Sequence, residues 1–393
     1  MQGNLGFGMM RLPIIDRNTK QNLPLHYNVV FDPNGNYDVD HEQVCRMVDK
    51  FLDAGFTYFD TSYVYLNSKS EPATREALVK RHPRDSFTLA TKLPTFLIKS
   101  KDDAPNIFEQ QLANCGVEFF DYYLLHTLRG PLYDPVVVKF GLFEFVAEQK
   151  KRGRIRNLGF SFHDSPELLD RILTEHPETD FVQIPVSYYD WDSYFVRARR
   201  CYEVIRKHGK RVVIMQPVKG GTLAKVPDEA ERLMRELEPE MSTASWALRF
   251  AAELDGVIAV LSGMSTLAQV EDNISFMKNF KPLTSEQKAL LPKVVELYKL
   301  SGPLHRADYS MYEGIASNGM PVAGVLDTYN SCMIQPDPTF ATENNYYATE
   351  RYAAGRHGSW IDGAIIDREG NDITQTVRDA EAWLMEHDFV GNF

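Results

Sequence analysis

Eight short runs of β-branched and aromatic residues, each followed by a longer amphipathic stretch, fill this 393-residue chain from its start to Asn279. The runs are Leu5–Met9, Thr57–Asp60, Phe87–Thr91, Phe120–Leu125, Asn157–Phe160, Phe181–Pro185, Arg211–Gln216 and Gly256–Leu261. Between and after them lie helical patterns over His41–Ala54, Pro72–Arg81, Ile107–Asn114, Val136–Arg152, Pro166–Glu175, Val196–His208, Thr243–Leu254 and Leu267–Asn279. Ser70-Glu71-Pro72 reads as a helix start with Ser70 as the cap, and His208-Gly209 reads as a helix stop. Strand–helix alternation of this kind builds parallel sheets. Eight such pairs point to an α/β fold of the (β/α)8 TIM-barrel type, although alternation by itself also permits an open doubly wound sheet. In a barrel, the chemistry belongs at the C-terminal ends of the strands, where the βα loops meet.

Two segments depart from the minimal pattern. Residues 16–38, with Asn, Asp, Pro and Gly throughout, read as a long loop. After residue 300 the alternation stops, the stretch Ser301–Ser359 is rich in Tyr, Asn, Gly and Pro, and Thr374–Met385 reads as a final amphipathic helix. The expected division is therefore a barrel over residues 1–300 and a C-terminal extension over 301–393 that packs on the barrel or covers its mouth.

Polar residues fall where three consecutive strands end. Tyr58-Phe59-Asp60 places Asp60 at one end, with Tyr65 in the loop that follows; Ala90-Thr91-Lys92 places a lysine at the next; Leu124-Leu125-His126 places a histidine at the third. A lone histidine after an apolar run is usually a satisfied core residue, and a lone lysine there is usually solvated. Four such groups at neighbouring strand ends are poorly explained by packing, because each needs a partner once water is excluded.

The segments Gly55-Phe-Thr-Tyr-Phe-Asp-Thr-Ser-Tyr-Val-Tyr65, Ala90-Thr-Lys92, Asp121-Tyr-Tyr-Leu-Leu-His126 and Leu5-Gly-Phe-Gly-Met-Met-Arg-Leu-Pro13 resemble the signature segments of the aldo-keto reductase family, in the same order and spacing. The resemblance runs from residue 5 to the helix ending at Asn279. It implies a catalytic tetrad of Asp60, Tyr65, Lys92 and His126, and hydride transfer between a nicotinamide cofactor and a carbonyl or alcohol. The residue types suit that chemistry. Tyrosine is a weak acid, with a free pKa of about 10. A lysine ammonium about 4 Å away, at an effective dielectric of about 20, interacts with a phenolate by roughly 4 kcal/mol. That makes the phenol more acidic by up to about a thousandfold. Asp60 holds Lys92 charged and aimed, which moderates the effect, and His126 donates a hydrogen bond to the substrate oxygen.

Barrels commonly bind phosphate in the loops after strands seven and eight. Here these read Gln216-Pro217-Val-Lys219-Gly220-Gly221-Thr-Leu223 and Leu261-Ser262-Gly263-Met264-Ser-Thr266, matching the family's nucleotide-binding segments, with Lys219 as the expected charge. The resemblance further assigns Gly8 and Met9 to the cofactor site, Gln269, Asp272 and Asn273 to the adenosine end, and Ser161 and Gln183 to the nicotinamide carboxamide. The Asn that usually follows that serine is Phe162, and Met215 stands where many relatives stack an aromatic ring. Between Ser262 and Asn273 there is no Lys or Arg. A ribose 2′-phosphate needs cations, so weak discrimination is expected, with both NADP(H) and NAD(H) usable. Tyr63, Phe96, Arg129, Tyr189 and Trp191 sit in catalytic-side loops and are the expected substrate contacts for an aldehyde, a ketone or a sugar.

The barrel segments look most like a bacterial branch whose members often carry a ferredoxin-like cysteine motif in a long tail. This tail holds only Cys332, so no Fe–S cluster is expected, and no other metal site. Cys45, Cys115, Cys201 and Cys332 are too far apart in sequence for C-x-x-C pairing, which fits a reducing compartment. The tail aromatics Tyr309, Tyr312, Tyr329, Tyr346, Tyr347 and Trp360 either cap the pocket or pack on the outside of the barrel. With 43 Lys and Arg against 54 Asp and Glu, the net charge of -11 argues against nucleic acid. The N-terminal residues lack a signal-peptide pattern and no apolar run approaches the roughly 20 residues needed to span a bilayer, so the expected setting is cytoplasmic. Two further roles suit such a barrel: a cofactor-binding regulatory module without net turnover, as in potassium-channel partners of this family, and a sugar isomerase or lyase that oxidises its substrate transiently.

Overall fold

The eight β-rich runs become eight parallel strands: β1 (Leu5–Gly8), β2 (Tyr58–Asp60), β3 (Thr88–Pro94), β4 (Phe120–Leu128), β5 (Ile155–Phe162), β6 (Phe181–Pro185), β7 (Arg211–Met215) and β8 (Val257–Ser262). They close in sequence order, with β8 pairing β1, so a barrel forms and the open sheet is excluded. This computed structural model describes residues 2–25, 35–317, 319–341, 343–353 and 363–387. Two strands run past their expected ends. Leu93 pairs with Leu125 and Pro94 with His126, so Lys92 and His126 lie within strands rather than at their tips.

Strand alternation sorts the side chains into two cores. Tyr58, Ala90, Leu124, Phe181, Val213, Ala259 and Leu261 pack together inside the barrel. The next residues on the same inward faces are Asp60, Lys92, His126, Ser161, Gln183 and Met215, which form the layer at the C-terminal mouth. Room for the inner layer is tight at Gly159, where a Cβ would come within 2.5 Å of the Phe181 ring. The opposite strand faces pack on the helices; Phe7 and Phe59 stack there and Phe51 meets both edge to face, at 5.3 to 5.7 Å between centroids.

Helices occupy most of the expected stretches, including His41–Asp53, Asp103–Cys115, Pro166–Glu175, Ala198–Lys207, Thr243–Ala252 and Leu267–Met277. The stop at Gly209 holds, with its φ of 70°. Three expectations are corrected. Ser70 is not a cap: the helix starts on it, and its hydroxyl instead donates to the Met9 carbonyl at 2.8 Å. The stretch Val136–Arg152 breaks at Gly141 (φ 64°) into a π-turn, Tyr133–Val138, and a helix, Leu142–Lys151. The loop 16–38 contributes to a small antiparallel sheet of Ile14–Asp16, Asn22–Leu23 and Tyr37–Val39. Tyr37 from this sheet lies under the Lys69 ammonium at 4.3 Å, tying the sheet to the loop after β2.

Beyond the barrel, the tail is more helical than its composition suggests: Ser285–Ser301, Val322–Met333, Glu343–Ala353 and Thr374–Glu386. It packs against the βα loops of the catalytic face. Tyr346 meets His163 after β5 at 5.9 Å between rings and Glu350 pairs with Arg197 after β6 at 2.7 Å, while within the tail Asp327 pairs with Lys299 at 2.7 Å. The other tail aromatics pack among themselves and with the core. Tyr309 and Tyr312 are buried side by side, Tyr329 meets Trp383, and the Tyr347 hydroxyl donates to Glu381. Trp360 lies outside the described residues.

Candidate active site

Inward-facing positions of β2, β3 and β4 bring Asp60, Lys92 and His126 to one end of the barrel, and the loop after β2 returns Tyr65 over them. The Lys92 ammonium, with no solvent exposure, donates to Asp60 Oδ1 at 2.5 Å and to the Thr61 carbonyl at 2.8 Å. It also lies 4.7 Å from the Tyr65 ring centroid, within hydrogen-bonding reach of the hydroxyl. Tyr65 and His126 meet edge to face at 5.9 Å. All four expected residues are therefore brought together.

Their electrostatics differ in one respect from expectation. Burial opposes the Lys92 charge, but Asp60 and Tyr65 outweigh it and raise the amine above its usual range. Burial likewise lifts the Tyr65 phenol above its ordinary value; Lys92 pulls it back, and Asp60 adds to the rise. The phenol is thus held protonated at neutral pH instead of being made more acidic. Desolvating a phenolate costs more than one ammonium returns when a carboxylate already offsets that ammonium. Burial, then the positive fields of Lys92 and Arg129, keeps His126 well below its usual range and therefore neutral.

Several supporting residues gave no sequence signal. Ser62 Oγ lies 3.2 Å from His126 Nδ1. The β4–β5 register shifts just after His126, where Thr127 takes a φ of 59° and its amide donates to Ser161 Oγ at 2.8 Å. After Tyr65 the chain makes three successive left-handed residues, Leu66, Asn67 and Ser68, with φ of 54°, 50° and 64°. Strain of that kind is held only where surroundings enforce it. Behind β3, buried Glu71 accepts from Thr91 and Gln111, and Gln111 also donates to the Lys92 carbonyl at 3.0 Å.

The loops after β7 and β8 approach β1 from one side. In the first, Gln216, Lys219, Gly220 and Gly221 all have positive φ, so the chain turns sharply after buried Pro217, with the Lys219 and Gly221 amides donating to the Gln216 and Val218 carbonyls. A Cβ on Gly221 would meet nothing within 4 Å. Lys219 does not extend from this loop: it is buried, 2.7 Å from Asp190 and 4.8 Å above the Tyr189 ring. A carboxylate from the loop after β6 has claimed the expected phosphate cation. Gly8 abuts the second loop, where its Cβ would lie 3.3 Å from the Ser262 carbonyl. The Met9 and Met264 side chains are buried. Asn273 donates to Ser262 Oγ at 2.6 Å, exposed Gln269 accepts from the Ser265 amide, and Asp272 accepts from Ser242. At the barrel mouth Gln183 touches Met215 Sδ at 3.5 Å, while its buried Oε1 has no hydrogen-bond partner among the described residues. Phe162 is buried beside Leu128.

Of the expected substrate contacts, Phe96 lies 5.9 Å from the His126 ring, and buried Arg129 is close enough to act on its charge. Tyr63 donates to Gln110 at 2.8 Å. The other two pack elsewhere: Tyr189 against Tyr298, and Trp191 against Tyr202 and Phe250. Among the described residues no group of His, Cys, Asp or Glu could hold a metal ion, and no helix is long and apolar enough to cross a membrane.

Comparison with known proteins agrees with this geometry. The sequence model of the Aldo/keto reductase family matches residues 32–296. A Bacillus subtilis (strain 168) protein described as an uncharacterized oxidoreductase is 24% identical over 276 residues, covering 62% of this chain and 85% of that protein. An aldo-keto reductase from Bacillus halodurans in its holo form superposes with a TM-score of 0.57 at 24% identity, over 75% of this chain and 92% of the other. An aldo-keto reductase from Klebsiella pneumoniae, solved in complex with NADPH, gives a TM-score of 0.55 at 17% identity over 75% and 95%.

Proposed function

Because the chain belongs to the aldo/keto reductase family, we propose that it transfers a hydride between a nicotinamide dinucleotide and the carbonyl or alcohol group of an aldehyde, ketone or sugar, with Tyr65 as general acid and base. The observation that carries this reading is the solvent-free Lys92 ammonium, held by Asp60 at 2.5 Å and set against Tyr65. A barrel core has no structural need for a buried ion pair, which costs desolvation that apolar packing would avoid.

When bound, the cofactor supplies the hydride. Gln183 and Ser161 would hold its carboxamide, and the orphaned Gln183 Oε1 fits an amide N–H there. The glycine turn at 219–221 and the turn at Ser262–Met264, closed by Gly8, would let its diphosphate approach the backbone, with Gln269, Asp272 and Asn273 toward the adenosine. None of those three is basic, so NADH is usable beside NADPH.

In the reducing direction, the carbonyl π pair becomes a lone pair on oxygen as the carbon accepts the hydride, and the Tyr65 hydroxyl delivers the proton to that oxygen. Its raised pKa keeps the proton in place until the alkoxide, a far stronger base, develops. Lys92 stabilises the phenolate left behind, and Asp60 keeps Lys92 charged and aimed. With Ser62 donating to Nδ1, neutral His126 presents its Nε2–H to the substrate oxygen and orients it. Phe96, Arg129 and Tyr63 would contact the rest of the substrate.

Purified protein with NADH or NADPH and a panel of aldehydes, ketones and keto-sugars, followed by the absorbance of reduced cofactor, tests this. Wild type should turn over, and Tyr65→Phe should lose about a hundredfold or more in kcat while its cofactor Kd stays within about twofold. Cofactor binding without turnover on any carbonyl would point instead to a regulatory module. An NADPH preference of about a hundredfold would defeat the weak discrimination.

A further inference from the structure

One side chain bridges the two glycine loops. Arg11 closes the short turn Met9–Arg11 that follows β1. Its stem runs past Gly263, where a Cβ would sit 3.2 Å from Arg11 Cδ, and its guanidinium reaches Gly220, where a Cβ would sit 3.3 Å from Nη2. Side chains at either glycine would crowd it. Across Gly220 stands the tail: Gln335 Oε1 would lie 3.5 Å from that same Cβ, and Asp337 is near enough to support the Arg11 charge against the burial that opposes it. Lys219, the other cation of the loop, is committed to Asp190.

We propose that Arg11 is the cation that grips the dinucleotide's diphosphate, and that Asp337 holds Arg11 until the diphosphate displaces it. This rests on the reading that the chain binds a nicotinamide dinucleotide. The planar guanidinium fork donates to carboxylate and phosphate oxygens alike, so the tail carboxylate competes for the cation that a phosphate needs. The tail thereby sets the affinity of a subsite built by the barrel. Binding replaces the charge support that Asp337 gives Arg11 with that of the diphosphate, while Asp337 Oδ1 keeps its hydrogen bonds from Thr339.

Titration of the full-length protein with ADP-ribose by calorimetry, and with NADH by fluorescence, reads this directly, without turnover. Arg11→Met should weaken ADP-ribose by at least about tenfold, or about 1.4 kcal/mol. Asp337→Asn should tighten it about threefold or more, and that gain should vanish in the Arg11→Met background. If wild type binds ADP-ribose but Arg11→Met stays within about twofold of it, or Asp337→Asn does not tighten binding, this inference falls while the cofactor reading stands. If wild type binds no dinucleotide, both fall. Should Arg11→Met fail to fold by circular dichroism, Arg11→Lys, which keeps the charge and loses the fork, must still weaken ADP-ribose, and Asp337→Asn must still tighten it.

Discussion

Burial disfavours the charge of both kinds of cationic group at this barrel mouth, and their neighbours decide which one keeps its proton. Lys92 keeps its proton because Asp60 and Tyr65 face it, whereas His163 faces the positive Arg129, and burial with that field pushes its pKa down to about 3. The folded state therefore binds fewer protons than the unfolded one between the ordinary histidine value of about 6.5 and about 3. The stability from neutral His163 is fully present above about 6.5 and is lost as pH falls toward about 3; His126, also depressed, acts in the same direction. Melting temperature should fall from about pH 7 to about pH 5, and less steeply for His163→Asn; parallel curves would refute the assignment. The residues legible in the sequence were those whose polarity breaks an apolar strand: Asp60, Lys92 and His126, with Tyr65 at its family spacing. Lys219 and Arg11 were not, because what decides their roles, Asp190 for one and the tail for the other, comes from distant parts of the chain.

At the scale of elements, every barrel strand was readable because β-branched and aromatic runs bounded by turn residues admit few alternatives, whereas the short strands of the sheet around Ile14–Asp16 were not. Helices were readable only where one face is buried. The helix Asp228–Leu237 has such a face, Ala230, Leu233, Met234 and Leu237 at helical spacing, but it is an extra helix between β7 and Thr243–Ala252 that a one-helix-per-strand reading passes over. The tail helix Val322–Met333 is hidden differently, with ten residues buried on all sides and no period to detect. Within strands, the decisive element contact is β5 against β6 at Gly159. Gly159→Ala would drive a methyl into the Phe181 ring, whose nearest atom is 2.5 Å from the Cβ position, and should destabilise by about 1–3 kcal/mol. Urea denaturation measures it, and Phe181→Leu in the same chain should recover part of the loss; a neutral Gly159→Ala would show that the inner layer has slack.

Across the whole molecule, barrel and tail share one apolar core. Phe59, Leu125 and Ile184 from strands belong to the same buried cluster as Tyr312, Val325, Cys332, Val377 and Leu384 from the tail. The half-buried ion pair Arg197–Glu350 stitches the two further. Calorimetric unfolding should accordingly give one cooperative transition; two resolved peaks would mean that the tail melts by itself. The enclosure this creates has a further chemical consequence. Aldehydes condense with neutral amines to form Schiff bases. In the proposed reaction Lys92 would work beside a carbonyl, yet its nitrogen is protonated, enclosed and committed to Asp60 and the Thr61 carbonyl. It has no lone pair to offer, so a carbonyl substrate bound there would escape covalent capture by it.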